Sequence, residues 1–250
     1  MKLYELAYCC RLYGHLTGYD RHLSQLHQRV GSGLDPLIPA HRTALFQWLN
    51  GWGCRQFARE HHATTASDSL VQWAVSWLES LPAWPEQLTD LSAARLELCA
   101  GAYDALRVLP ASRRTLNSGR VSVVTYGPTG TAKTLFALRP NVFPPWDDPI
   151  RILLGFGKDG ASFLRYLTEV ASTLRELAAE AGIPVTALPE LVQRPNSSPP
   201  KLVDEYNWVV RTRRCPPPTP EEVLRWADWA RPAQARDSNR NPADDGRKAT

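Results

Sequence analysis

The residues with the clearest chemical potential lie in one segment, residues 121–151, which reads VSVVTYGPTGTAKTLFALRPNVFPPWDDPIR. It joins a glycine-rich turn, a lysine (Lys133), a short apolar helix pattern and two aspartates framed by prolines, of which Asp147 is the first. A lysine can hold a phosphate group, and a carboxylate can stabilise a cation that forms during bond cleavage. We therefore expect the functional centre of the chain within residues 121–155.

The first half of this segment is close to a phosphate-binding loop. GPTGTAKT (127–134) differs from the pattern GxxxxGK[ST] only at Ala132, where the pattern has glycine. In such a loop, backbone N–H groups cradle phosphate oxygens, Lys133 reaches the terminal phosphates and Thr134 holds magnesium. The Cβ of Ala132 crowds that turn, and the chain lacks the alternation of strands and helices typical of such folds. A turn that only starts a helix is the alternative interpretation.

Together with RPNVFPPWDDPIR (139–151), the same residues resemble the helix-hairpin-helix DNA glycosylase superfamily. Gly127 to Gly130 match its hairpin turn, Thr131 starts the next helix, and Asp147 matches its aspartate. The resemblance implies amides at Gly127, Gly130 and Thr131 that bind a DNA phosphate, and a carboxylate that stabilises the cationic sugar when a flipped base leaves. The Schiff-base lysine of lyase-competent members falls on Gly130, with Lys133 three residues later. This implies a monofunctional enzyme or a non-catalytic relative.

Three neighbouring residues complete the candidate site. Arg139 and Arg151 bracket the proline-rich segment, so we expect them to grip a phosphate backbone. Trp146 is a secondary candidate that could stack on a base or sugar. The superfamily has a helix before its hairpin, whereas VSVVTY has the β-branched density of a strand.

Each of these residues also has a structural interpretation. Asp147 could cap the helix that follows it, Trp146 could anchor the core, and Lys133 could extend its ammonium from an apolar helix toward water. Arg139 and Arg151 could simply be solvated, as most surface arginines are.

The rest of the sequence offers no comparable metal or cysteine site. The five cysteines form no CxxC pair, and the adjacent His61 and His62 point about 100° apart on a helix, so they cannot bind one metal ion together. We expect no metal and no cofactor.

The apolar spacing predicts a mainly α fold, a single multi-helix domain of helix-hairpin-helix type with few or no strands. Only 121–126 (VSVVTY) reads as a strand, and it has no obvious partner. The stripe Phe163, Leu167, Val170, Leu174 and Leu177 is typical of an amphipathic helix. The predicted helices are 2–13, 18–30, 41–62, 67–80, 86–108, 131–138, 147–155, 160–181, 200–212 and 219–230.

The composition limits which partners and which cellular location we expect for the protein. The chain has 250 residues, with 43% hydrophobic and 22% charged residues and a net charge of +4, which permits an anionic partner without requiring one. We expect a helical domain over 1–230, a disordered basic tail over 231–250, no membrane segment and a cytoplasmic location.

The leading hypothesis is a nucleic-acid-binding protein that resembles a helix-hairpin-helix DNA glycosylase, with DNA as partner and with cleavage of the N-glycosidic bond of a flipped base. In this hypothesis Asp147 and Lys133 are the catalytic residues. The alternatives are a nucleoside-triphosphate-binding protein that uses GPTGTAKT, and a helical interaction protein without enzymatic activity.

Overall fold

The computed structural model of the chain describes residues 1–31 and 33–230, and for residues 59–64, 114 and 226–230 it describes the backbone alone. Within these residues the fold is mainly α, with eleven α-helices and one two-stranded hairpin. The helices are α1 (Leu3–Leu16), α2 (Tyr19–Val30), α3 (Pro39–Gly51), α4 (Arg59–Trp77), α5 (Ala93–Arg107), α6 (Gly127–Leu138), α7 (Asp148–Leu153), α8 (Gly160–Ala181), α9 (Leu188–Leu191), α10 (Pro199–Asn207) and α11 (Pro220–Ala230). The strands are β1 (Pro110–Thr115) and β2 (Val121–Thr125).

Contacts between residues divide the chain into two units, Met1–Cys215 and Pro216–Thr250. The first unit holds α1 to α10, the hairpin and the core, and the described part of the second unit holds α11. The boundary falls in the proline run 215–220, earlier than the boundary at residue 230 that the composition predicts. The predicted disordered tail, 231–250, lies outside the described residues.

Helix α8 is the longest of the described helices, and its predicted stripe is confirmed. All five stripe residues are buried, from Phe163 to Leu177. The Asp159 side chain caps the first turn by accepting a hydrogen bond from the Ser162 N–H, and Gly182 ends the helix with a left-handed φ of 66°. These local signals explain why the predicted and observed bounds agree. The Phe163 ring stacks on Tyr103 of α5 at 4.1 Å, which fixes α5 against α8.

The strand predicted at 121–126 is confirmed as β2, but the expectation that it lacks a partner was wrong. It pairs antiparallel with β1, PASRRT, whose polar sequence does not indicate a strand. The five residues 116–120 join the strands: Leu116 donates to the Arg120 carbonyl, Gly119 donates to the Leu116 carbonyl, and Gly119 has a φ of 78°. Asn-Ser-Gly therefore forms the hairpin turn, since glycine tolerates a positive φ.

Several predicted helix boundaries were also wrong; the helix predicted over 86–108, for example, begins only at Ala93. The helix predicted over 41–62 is interrupted after Gly51, where Gly53 takes a φ of 87° and Ala58 is extended, and α4 begins only at Arg59. The helix predicted from residue 131 begins four residues earlier, at Gly127, with Pro128 in its first turn. Proline is favoured there because it has no N–H to leave unpaired. The hairpin turn expected at Gly127 to Gly130 is therefore the first turn of α6.

Among the described residues, no helix combines the length and the hydrophobicity that crossing a bilayer requires.

Candidate functional site

Lys133 and Asp147, the two predicted catalytic residues, lie in contact. Lys133 is in the middle of α6, and its side chain is only 4% exposed. Its Nζ lies 2.9 Å from Asp147 Oδ1 and donates a 2.9 Å hydrogen bond to the carbonyl oxygen of Trp52. The same ammonium stands 4.3 Å from the centre of the Trp52 ring. A buried ammonium must be paired to be tolerated, and this one has a carboxylate, a carbonyl and an aromatic face.

Asp147 does not cap its own helix, although it occupies the N-cap position of α7 with an extended backbone. Its side chain accepts no capping hydrogen bond; Oδ1 lies at ion-pair distance from Lys133 without forming a hydrogen bond of good geometry. The side chain is 26% exposed. The capping interpretation is therefore wrong for this side chain. The carboxylate is fixed on one side by a buried cation and open to solvent on the other.

A second buried charge pair lies in α10. Lys201 is fully buried, and its Nζ lies 2.6 Å from Asp204 Oδ2 and 4.0 Å from Glu205 Oε1. The rings of Tyr13 and Tyr19 face the same ammonium at 4.1 Å and 4.4 Å. Lysine is almost never buried without partners, and here two carboxylates and two aromatic faces replace its hydration.

Arg194 extends this buried cluster toward the surface. Its guanidinium donates to both oxygens of Glu205, at 3.1 Å and 3.0 Å, and to both oxygens of Asp20, at 2.6 Å and 2.8 Å. The fork geometry of arginine suits this double bidentate contact. Glu205 is fully buried, whereas Asp20 is about half exposed. The cluster therefore links α2, α10 and the loop after α9.

Burial and charge shift the pKa values in this cluster in opposite directions. Burial raises the pKa of Asp204 to about 6, against the opposing effect of the Lys201 ammonium. For Lys201, burial by itself lowers the pKa, but the charge of Asp204, with further effects of Tyr13 and Glu205, raises the pKa well above its usual value. Lys201 thus stays charged, and Asp204 is the member of the cluster that titrates near neutral pH.

Trp52 connects the two ion pairs. Its ring faces Lys133 at 4.3 Å and Lys201 at 5.6 Å. Asp147 and Lys133 are also among the charges that shift the pKa of Asp204. The Lys133–Asp147 pair is therefore one end of a larger buried network, in which a change of charge at one pair is felt at the other.

The residues expected to bind phosphate do not form a cradle. Gly130 is buried against the Gln56–Phe57 turn, and a Cβ built on it would lie 2.8 Å from Gln56 Nε2. Thr131 is fully buried, and its Oγ1 has no hydrogen-bond partner among the described residues. Gly127 is half-buried with a φ of 67°. The amides of Gly130 and Thr131 cannot reach a phosphate, because the helix and the core cover them.

Trp146, Arg139 and Arg151 also take structural positions. Trp146 is fully buried and stacks on Tyr166 at 5.2 Å, so it cannot stack on a base. Arg139 donates to the carbonyls of Pro82 and Leu138, and burial lowers the pKa of this guanidinium. Arg151, also buried, donates to the Phe156 carbonyl at 3.0 Å and pairs with Asp148 at 3.0 Å. The predicted contacts of these three residues with nucleic acid are therefore not supported. Trp146 packs in the core, and the two arginines hold neighbouring loops through backbone carbonyls.

GPTGTAKT is helical along its whole length. Thr134 donates to the Gly130 carbonyl at 2.8 Å, one helical turn earlier, and is fully buried, so it does not face a metal. The Lys133 ammonium contacts Trp52 and Asp147. A phosphate loop needs amides exposed ahead of its helix and a free lysine, and this arrangement provides neither.

Sequence reasoning missed Lys201, Asp204 and Glu205. One signal was present, since Lys-x-x-Asp-Glu in PKLVDEYN (200–207) places a cation and two carboxylates at i, i+3 and i+4 on one helix face. On an ordinary helix this face is exposed, so the spacing by itself does not reveal burial.

No family model, curated protein or solved structure matches this chain. Within the described part of the chain, no group of three or more His, Cys, Asp or Glu side chains is arranged to hold a metal ion. The Lys133–Asp147 pair is therefore the feature of the described residues that bears most directly on function.

Proposed function

We propose that the protein binds nucleic acid and cleaves the N-glycosidic bond of a flipped base, with Asp147 as its catalytic carboxylate. One observation carries the proposal: Asp147 leaves its own helix uncapped and is held by the buried ammonium of Lys133 while about a quarter of its side chain stays exposed. The carboxylate is therefore not bonded to the first N–H groups of α7, and its exposed part is available to a ligand.

The negative charge of Asp147 can stabilise the positive charge that forms on the sugar during cleavage. As the bond between C1′ and the base nitrogen breaks, its electron pair leaves with the base and the sugar becomes cationic. The exposed side of Asp147 stabilises that cation, and water then adds to C1′ and releases its proton. Because Lys133 is 4% exposed, we assign it as a positioning residue and not as a nucleophile. The burial of Lys133 agrees with a monofunctional reaction, which needs no lysine nucleophile.

The resemblance to helix-hairpin-helix glycosylases supports this proposal through the position of Asp147 and through the helical fold. It does not extend to the hairpin turn, which is the start of α6. Contacts to the phosphate backbone must therefore come from another surface. The nucleotide-binding alternative is not carried forward, because no observation in the structure favours it.

Base release from a panel of duplexes that carry damaged or mismatched bases tests the proposal. The wild type is expected to release at least one base, and Asp147→Asn is expected to slow that release by about 10²–10³-fold while binding the same duplex. Asp148→Asn is the matched control, because this adjacent carboxylate is exposed and pairs with Arg151. If neither the wild type nor Asp148→Asn releases any base, or if Asp147→Asn is as active as the wild type, the proposal fails and the non-enzymatic interpretation is favoured.

A further inference from the structure

A cavity of about 370 Å³ opens between α3, the turn that carries Phe57, and α4. Pockets that hold small molecules have volumes of about 300–1,000 Å³, with mostly apolar walls and a few polar groups. Neither Lys133 nor Asp147 is among the described residues that line this cavity. We call it the α3 cavity, and its lining includes Arg42, Thr43, Phe46, Asn50, Phe57 and Ser67.

Two phenylalanine rings form the apolar part of the α3 cavity. Phe46 of α3 and Phe57 are both buried, and their rings are stacked with centroids 5.4 Å apart and planes only 9° from parallel. The Phe57 ring also packs edge-on against Tyr126, at 5.0 Å, so the pair is fixed in the core. Rigid aromatic side chains suit a flat aromatic ligand, because a ring can stack on them or meet them edge to face.

Arg42 supplies the charged part of the α3 cavity. It is half-buried, and two hydrogen bonds fix its guanidinium: Nε donates to Ser67 Oγ at 2.6 Å, and Nη1 donates to the Pro36 carbonyl at 2.8 Å. Both acceptors are neutral, so neither cancels the positive charge. That charge also opposes the rise in the pKa of Tyr126 that burial causes. An arginine that is already oriented loses little conformational freedom when it binds an anion.

We propose that the α3 cavity binds a small aromatic carboxylate, with the ring against Phe46 and Phe57 and the carboxylate at Arg42. The planar guanidinium matches the geometry of a carboxylate, and charge-assisted hydrogen bonds are the stronger ones. Thr43 and Asn50 place a hydroxyl and a carboxamide in the same lining, where they can bond further polar groups of the ligand. This inference does not rest on the proposed function, because it assigns a second site with its own ligand.

Calorimetric titration of the full-length protein with three probes tests the chemical class of the ligand. Benzoate is expected to bind with a Kd of about 1 mM or lower. Benzamide keeps the ring without the charge and is expected to bind at least about tenfold more weakly, since it loses the charge-assisted contact with Arg42. Cyclohexanecarboxylate keeps the charge without the aromatic ring and is expected to bind about threefold more weakly.

Thr43→Trp tests the location of the site. Thr43 is exposed and lines the α3 cavity, so a bulky side chain there fills the cavity without entering the core, and benzoate affinity is expected to fall at least about tenfold. Thr168→Trp is the matched control: Thr168 is also an exposed helical threonine, and each hydroxyl donates to the carbonyl four residues earlier. The control is expected to bind benzoate like the wild type.

Arg42→Gln tests the role assigned to the guanidinium. It is expected to lower the affinity for benzoate to that for benzamide while the affinity for benzamide stays unchanged. A general loosening of the fold would weaken both ligands equally, so the comparison separates recognition of charge from structural damage.

Three results would overturn the proposal: no binding of benzoate, equal affinities for benzoate and benzamide, or wild-type affinity for benzoate in Thr43→Trp. Asp147→Asn is expected to bind benzoate like the wild type, because Asp147 is not among the described residues of this lining. Binding of benzoate and release of a base from DNA are separate measurements, so the failure of either proposal leaves the other standing.

Discussion

At the scale of single residues, Lys133 and Asp147 are the two predicted catalytic residues, and they lie in contact in the structure. The sequence analysis predicted both as catalytic residues, with Lys133 near a phosphate and Asp147 near the sugar, but it did not predict that the two side chains are in contact. Thirteen residues, which include a proline-rich turn, lie between them, and the path of that turn depends on Trp146 entering the core. Their pairing therefore depends on tertiary packing and could not be derived from spacing.

The coupling between Lys133 and Asp147 can be measured directly. Lys133→Met leaves the Trp52 carbonyl and the carboxylate without their cation, so we expect it to destabilise the protein by about 2–4 kcal/mol. In a double-mutant cycle with Asp147→Asn, the coupling energy is expected to be about 1–3 kcal/mol. Urea denaturation of the four proteins gives this value. Additive effects of the two substitutions would show that the contact contributes nothing.

Asp204 makes stability depend on pH in an unusual direction. Its pKa is about 6 in the folded protein and is expected near the ordinary 3.8 in the unfolded chain, so the folded state binds more protons between these values. The contribution of this group to stability is therefore fully present below about pH 4 and is lost as the pH rises through about 6. Subtracting the profile of Asp204→Asn from that of the wild type, by chemical denaturation from pH 4 to 7, isolates the effect. A flat difference would contradict it.

At the scale of elements, local signals decided which helices the sequence could predict. Helix α8 has an apolar stripe, an N-terminal cap and a terminal glycine, and its predicted bounds agree with the observed ones. Strand β1 has no such signal, because PASRRT gains its strand character only by pairing with β2. The break between α3 and α4 depends on a single glycine with positive φ, Gly53, which the helical spacing across it conceals.

The start of α6 is the element on which the phosphate-binding hypotheses depend, and Gly130 tests its placement. Gly130→Ala brings a Cβ within 2.8 Å of Gln56 Nε2 and 3.2 Å of the Phe57 ring, and Gln56 is held by its bond to the Tyr126 carbonyl. We expect a loss of about 1–3 kcal/mol from overpacking, despite the better helix propensity of alanine.

Gly51→Ala is the matched control for Gly130→Ala, because its Cβ would meet only the His22 ring at an ordinary 3.5 Å. It is expected to be neutral or slightly stabilising, and thermal unfolding of both variants compares them. Equal tolerance of the two substitutions would place Gly130 in an open turn and would revive a phosphate-binding role for GPTGTAKT.

At the scale of the whole molecule, the spacing of apolar residues predicted the mainly α fold, which is confirmed, but not the buried charge cluster. The cluster joins Asp20, Arg194 and Glu205, and the first two are 174 residues apart. Each residue type is ordinary in a soluble protein, and only the fold brings the residues together.

The most direct test of the account is a single-turnover measurement of base release by the full-length protein on a duplex that it cleaves, with DNA affinity measured in parallel. We predict that Asp147→Asn lowers the rate by about 10²–10³-fold with an unchanged Kd, as expected for removal of one charge-stabilising group, and that Asp148→Asn keeps the wild-type rate. A wild-type rate in Asp147→Asn at saturating DNA would contradict the assignment of Asp147 as the catalytic carboxylate.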